Sequence, residues 1–188
     1  DQRPGEEPLP SPDLEDPDNR IPFASYVALM RAAQQQCNDP AFALHFGEEV
    51  DASELSLAHM MGGADNMENA LAMGNRYARL AIEVEGDGTG DRFQLRRVAG
   101  HLWFVDARGN PNDFPELTES TFARMTCSMR NVPGDRKIVT AVHVTHDDPG
   151  YRAEYDRIFG VPVVFGSTMN AMQLDESLLS AFEFPRSE

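Results

Sequence analysis

The sequence predicts an α+β domain in which N-terminal helices pack with a mainly antiparallel β-sheet. Three observations predict it. Apolar residues recur at helical spacing from Phe23 to about Leu80. From Ala81 to Val105 the pattern changes to strand-like alternation around turn residues. Beyond one more helix, the signals run strand, helix, strand, strand, so helices and sheet segregate along the chain.

Residues 1–20 hold five prolines and seven acids against two arginines. So little apolar surface cannot offset the entropy of ordering, which predicts a disordered tail. Order begins at Ile21-Pro22, because proline suits a helix start. Phe23, Tyr26, Val27, Met30 and Ala33 mark the first helix. Asn38-Asp39-Pro40 breaks it and opens a short helix over Ala41–Phe46, with Gly47 expected as its C-cap. Leu55–Met61 predicts another short helix, stopped by Gly62-Gly63. Asp65 and Glu68 form a capping-box-like start for a helix to about Leu80, with Gly74 inside it.

Ala81–Glu85 and Arg92–Val98 read as a hairpin around the Gly86–Asp91 turn, with Leu102–Val105 as a third strand. A loop over Asn110–Pro115 leads to a helix from Thr118 to about Met129. Lys137–Thr145 is the strongest strand signal. A helix over Tyr151–Phe159 follows, ended by Gly160. Val161–Phe165 and Ala171–Leu174 read as short strands around a Gly166–Asn170 turn, and Asp175–Leu179 as a last helical turn. Residues 183–188 read as the start of a linker.

At 188 residues, 41% hydrophobic and 25% charged, the chain has the makings of one ordinary domain with a sizeable core. The net charge of −15 excludes nucleic-acid binding by this polypeptide alone, since phosphate recognition needs a basic face. Anionic membrane surfaces are disfavoured for the same reason. No run approaches the ~18 apolar residues of a membrane span, and no leader precedes the domain, so a cytoplasmic location is expected. Cys37 and Cys127 read as reduced thiols, because two cysteines make no disulfide framework in a chain of this length.

Two stretches carry a family resemblance. One runs from Ile21-Pro22 through Asp39-Pro40 to Gly47, and on through Gly62-Gly63 to Glu68–Leu71 and Asn75-Arg76-Tyr77. The other runs through Val142–Pro149, Tyr151, Tyr155, Ile158–Gly166, Asn170-Ala171 and Leu178-Leu179. Together they resemble the N-terminal arabinose-binding-type domain of AraC/XylS-family transcription regulators over about residues 20–182. Val161 stands where the family commonly has cysteine, a mild departure. The resemblance implies a ligand-sensing regulatory domain. It also implies a helix-turn-helix domain beyond residue 188 that would do the DNA binding. It does not make arabinose the ligand.

His143 and His146 sit beside Asp147 and Asp148, which raises the question of a metal site. Residues three apart on a strand face opposite ways, however, and the resemblance gives His146 a turn-fixing role instead. No nucleophile elbow, Cys-x-x-Cys or phosphate loop occurs, so neither catalytic residues nor a cofactor are expected. Nine methionines fit two readings: ordinary core, or the lining of an adaptable apolar pocket. In the pocket reading, Met60, Met61 and Met125 line a cavity against the sheet face carrying Trp103, with Tyr77 as an aromatic wall and Arg76 or Arg130 for an acidic head group. The expected partners are a small apolar or amphipathic effector and a second copy of the chain in a homodimer. The alternatives are a ligand-free dimerisation module and a small metal-dependent enzyme.

Overall fold

The computed structural model of the chain describes residues 22–49, 69, 71, 72, 75, 76, 90–129 and 137–179. The expected tail and linker, the helix over Leu55–Met61 and the strand over Ala81–Glu85 lie outside them. The fold is α+β, with a five-stranded sheet in which all pairings but one are antiparallel.

Helix α1 spans Phe23–Gln36, immediately after Pro22. The chain then turns through Asn38 at φ 49°, and the Asp39 carboxylate accepts the Ala41 amide at 3.0 Å. That cap starts α2, Phe42–Glu49. Gly47 lies inside α2 and does not end it. An added Cβ there would overlap the Ser120 carbonyl oxygen and come within 2.9 Å of the Ala123 Cβ. The glycine is a helix-contact residue: it lets α2 lie directly against α3, Pro115–Ser128.

Strands β1 (Phe93–Val98) and β2 (His101–Asp106) form a tight hairpin. Its turn is Ala99-Gly100, both at positive φ (51° and 82°), as a two-residue type I′ loop requires. The hairpin therefore turns at Ala99-Gly100 and joins the segments read as second and third strands. β3 is Val139–His143, α4 is Arg152–Phe159 and β4 is Val163–Val164. β3 and β4 are parallel, so α4 is a crossover helix. Gly160, at φ 60°, caps α4 as expected. β5, Asn170–Leu174, inserts between β2 and β3, giving the order β1-β2-β5-β3-β4. A last turn, α5, spans Glu176–Leu179.

Helix α3 is central. Leu117, Thr118, Glu119, Ser120, Phe122, Ala123, Met125 and Thr126 are all buried. One side meets α2 at Gly47. Phe122 and Met125 join the main core with Phe104, Val142 and Met172 of the sheet and Tyr155 and Ile158 of α4. A second apolar cluster ties α1 to α2 and α3 through Met30, Ala43, Phe114 and Leu117.

Candidate functional site

The two faces of the sheet differ in chemistry. On the helix-covered face, the register sets Leu95, Phe104, Met172, Val142 and Val163 in one row across all five strands. That row is apolar throughout, as a core requires. On the other face, one row reads Arg96, Trp103, Gln173, Ala141 and the next Gln94, Val105, Ala171, His143. Here polar side chains and alanines surround one large ring.

Trp103 is 7% exposed and packs with Val105, Ala171, Ala107 and Met169. Its ring stands edge-on to His143, centroids 4.7 Å apart. The indole Nε1 is buried and has no hydrogen-bond partner among the described residues. A buried N–H normally finds an acceptor, so this donor is available to one. His143 Nδ1 lies 3.1 Å from the Ser167 hydroxyl, and burial holds its pKa below the ordinary histidine value. Arg96 donates through Nε and Nη2 to the Gln94 side-chain carbonyl. The face thus presents an aromatic ring, a donor without a partner among the described residues, an imidazole and a guanidinium.

A separate polar network lies beneath α4. The Glu119 carboxyl is 2% exposed, and its Oε1 accepts from Tyr155 at 2.5 Å and Tyr151 at 2.8 Å. Burial pushes the Glu119 pKa up, only partly opposed by the two tyrosine hydrogen bonds. The Tyr155 hydroxyl also lies 3.1 Å from His146 Nε2, and His146 Nδ1 reaches the Asp147 carbonyl at 2.8 Å. These bonds join α3, α4 and the end of β3.

A family model described as the arabinose-binding domain of AraC transcription regulators, N-terminal, matches residues 8–181. The chain belongs to this family. The AraC arabinose-binding domain is a regulatory, ligand-binding module, so a small-molecule effector is the partner it implies. No curated protein matches the chain. Among the described residues no helix is long and apolar enough to cross a membrane, and no group of three or more His, Cys, Asp or Glu is placed to hold a metal ion.

In this AraC-type domain the Thr-His segment does structural work. Asn170 Oδ1 accepts the Thr145 amide at 2.8 Å, and the Thr145 hydroxyl donates to Asn112 Oδ1 at 2.6 Å. His146 continues into the Glu119 network. Asn75, 3% exposed, pairs with the edge strand in both directions: Nδ2 donates to the Phe93 carbonyl and Oδ1 accepts the Phe93 amide, each at 2.8 Å. The side chain thereby acts as a short substitute strand along β1.

Of the residues predicted to line a pocket, Met60, Met61 and Tyr77 lie outside the described residues. Met125 is in the main core on the helix side of the sheet, whereas Trp103 is on the opposite face. The structure does not bring these two together. Arg76 is exposed on the helical segment beside Asn75. Gln94, Arg96 and Gln173, which sequence reasoning did not single out, and His143, which it weighed only as a metal ligand, are strand positions on the same face as Trp103. Alternation alone could have found those of β1, but the row across β5 and β3 needed the strand order.

Proposed function

We propose that this domain senses a small-molecule effector on the sheet face carrying Trp103. It would pass the resulting bias to a helix-turn-helix domain elsewhere in the same protein. The observation that carries the reading is the contrast between the two faces: an apolar row under the helices, and Trp103 among Arg96, Gln94, Gln173 and His143 on the other side. The signal is bounded by the ligand's differential affinity for two arrangements of the domain. The −15 charge supports leaving DNA contact to another domain.

Screening pentoses, amino acids, carboxylates and amphipaths by thermal shift tests this. A true effector raises the melting temperature and changes the fluorescence of Trp103, the chain's single tryptophan, saturably. If no class of compound does both, effector sensing on this face is wrong.

A dimerisation role on the same face is the second reading. Val98 and Val164 are each 43% exposed, and they stand on the two outer strands with the parity of Trp103. Sedimentation of the wild type against a Val98→Lys, Val164→Lys double variant separates the readings. Dimers lost in the double variant favour the self-association surface.

A further inference from the structure

Arg124 raises a question that the Trp103 face does not answer. It lies on α3, half-buried, and its Nε is fully buried with no hydrogen-bond partner. No carboxylate pairs with it among the described residues, in a chain with 31 acids against 16 basic residues. Its guanidinium carbon stands 5.9 Å from the centre of the Phe46 ring on α2. An exposed arginine needs no partner, but an arginine whose Nε is removed from water without an acceptor is costly.

Its surroundings are those of an anion site. Thr121 and Ser120 precede Arg124 by three and four residues and so share its side of α3. The Thr121 hydroxyl is 3.4 Å from Arg92 Nη2, which brings a second guanidinium to this side. Arg92 is already neutralised by Asp106 through two bonds, at 2.9 and 3.0 Å, so among the described residues the positive charge of Arg124 has no carboxylate opposite it. Tyr26 of α1 closes the group. Burial pushes its pKa up, against the smaller downward pull of Arg124, Ser120 and Arg92. Tyr26 and Phe46 belong to the apolar cluster between α1, α2 and α3.

We propose that Arg124, with the Tyr26 hydroxyl, forms a binding site for the carboxylate of a small molecule whose apolar body lies against Phe46 and Tyr26. A planar guanidinium without a carboxylate partner matches a ligand carboxylate; the Thr121 and Ser120 hydroxyls already donate to the Leu117 carbonyl, which leaves the Tyr26 hydroxyl as the neighbouring donor. The site is on the helix side of the sheet. It stands independently of the effector site on the Trp103 face.

Titration calorimetry with 3-phenylpropionate and its uncharged counterpart 3-phenylpropanol tests it on the whole chain. The acid binds saturably, and the alcohol binds at least about tenfold more weakly, because only the acid forms charge-assisted bonds. Arg124→Gln loses about tenfold or more in acid affinity and leaves alcohol binding unchanged. Arg124→Lys, which keeps the charge, loses less. Trp103→Phe binds the acid as the wild type does. Absence of saturable acid binding to the wild type overturns the proposal, as does equal affinity for acid and alcohol. Should Arg124→Gln fail to fold, the acid–alcohol ratio and the lysine variant still decide. An effector that acts through Trp103 without displacing the acid leaves the sensing function standing whichever way this test falls.

Discussion

The Tyr155 hydroxyl donates a 2.5 Å hydrogen bond to the Glu119 carboxyl group, across 36 positions of sequence and between two helices. Tyr155 is fully buried and Glu119 nearly so, and Tyr151 donates to the same oxygen. The contact fixes how the crossover helix α4 sits on the central helix α3.

Removing this acceptor strands two hydroxyls. Glu119→Ala should destabilise the domain by about 2–4 kcal/mol in urea unfolding, from the unpaired tyrosines and the lost volume. Glu119→Gln keeps an acceptor and should cost less. The pH dependence has a definite sign. The folded pKa is raised, so between the ordinary glutamate value and the folded value the native state binds more protons than the unfolded one. Stability contributed by Glu119 therefore falls as pH rises through that window. The glutamine variant should lack this slope. A wild type whose stability, relative to that variant, rises with pH there would contradict the assignment.

Asp106 predicts the opposite slope. It is 3% exposed; burial favours its neutral form, but the charge and paired hydrogen bonds of Arg92 outweigh that and hold its pKa below the usual value. The Thr118 hydroxyl also donates to it, at 3.1 Å. Its contribution is present above the ordinary aspartate pKa and is lost as pH falls through the folded one. Asp106→Asn should cost about 3–5 kcal/mol at neutral pH by leaving Arg92 without its counter-charge. Denaturant curves at neutral pH and at acid pH check both the size and the convergence of the two proteins.

His45 bridges α2 to α4, with Nδ1 at 2.7 Å from Asp39 and Nε2 at 3.0 Å from Glu154. Burial lowers its pKa, but the hydrogen bonds to the two carboxylates outweigh that and raise it above 6.5. Its stabilisation is complete below the ordinary histidine value and disappears as pH rises through the folded one. The melting-temperature gap between wild type and His45→Gln should therefore shrink from about pH 5.5 to about pH 9. A constant gap would mean that the bridge is not charge-assisted.

Gly47→Ala should destabilise by about 1–3 kcal/mol, since a methyl group there overlaps the α3 backbone. An unchanged unfolding midpoint would show that α2 can move away freely.

These sites show what the sequence makes legible. Period and punctuation located most described elements: Pro22 before α1, Gly160 after α4, and the alternation of β1 and β2. Gly47 was misleading because a glycine after apolar helical positions fits a C-cap and a helix contact equally well. The Ala99-Gly100 turn carries a weak signal because alanine seldom adopts positive φ, whereas the Gly86–Asp91 segment, rich in glycine and aspartate, carries a strong one. Glu119 and Arg124 look like ordinary polar positions on an amphipathic helix. Only the burial of α3 on several sides, by partners from distant parts of the chain, gives them meaning. Trp103 was legible as a residue to watch, but the face it occupies depends on β5 entering between β2 and β3.

The most direct test of effector sensing is a paired fluorescence and affinity measurement on wild type and Trp103→Phe. A compound that raises the wild-type melting temperature is titrated while indole emission is followed, and its affinity for each protein is then measured by calorimetry. The account predicts a saturable change in emission, and an affinity at least about fivefold weaker for Trp103→Phe with its fold intact. Equal affinity for the two proteins, with emission unmoved at saturation, would place the effector elsewhere and contradict the assignment of this face.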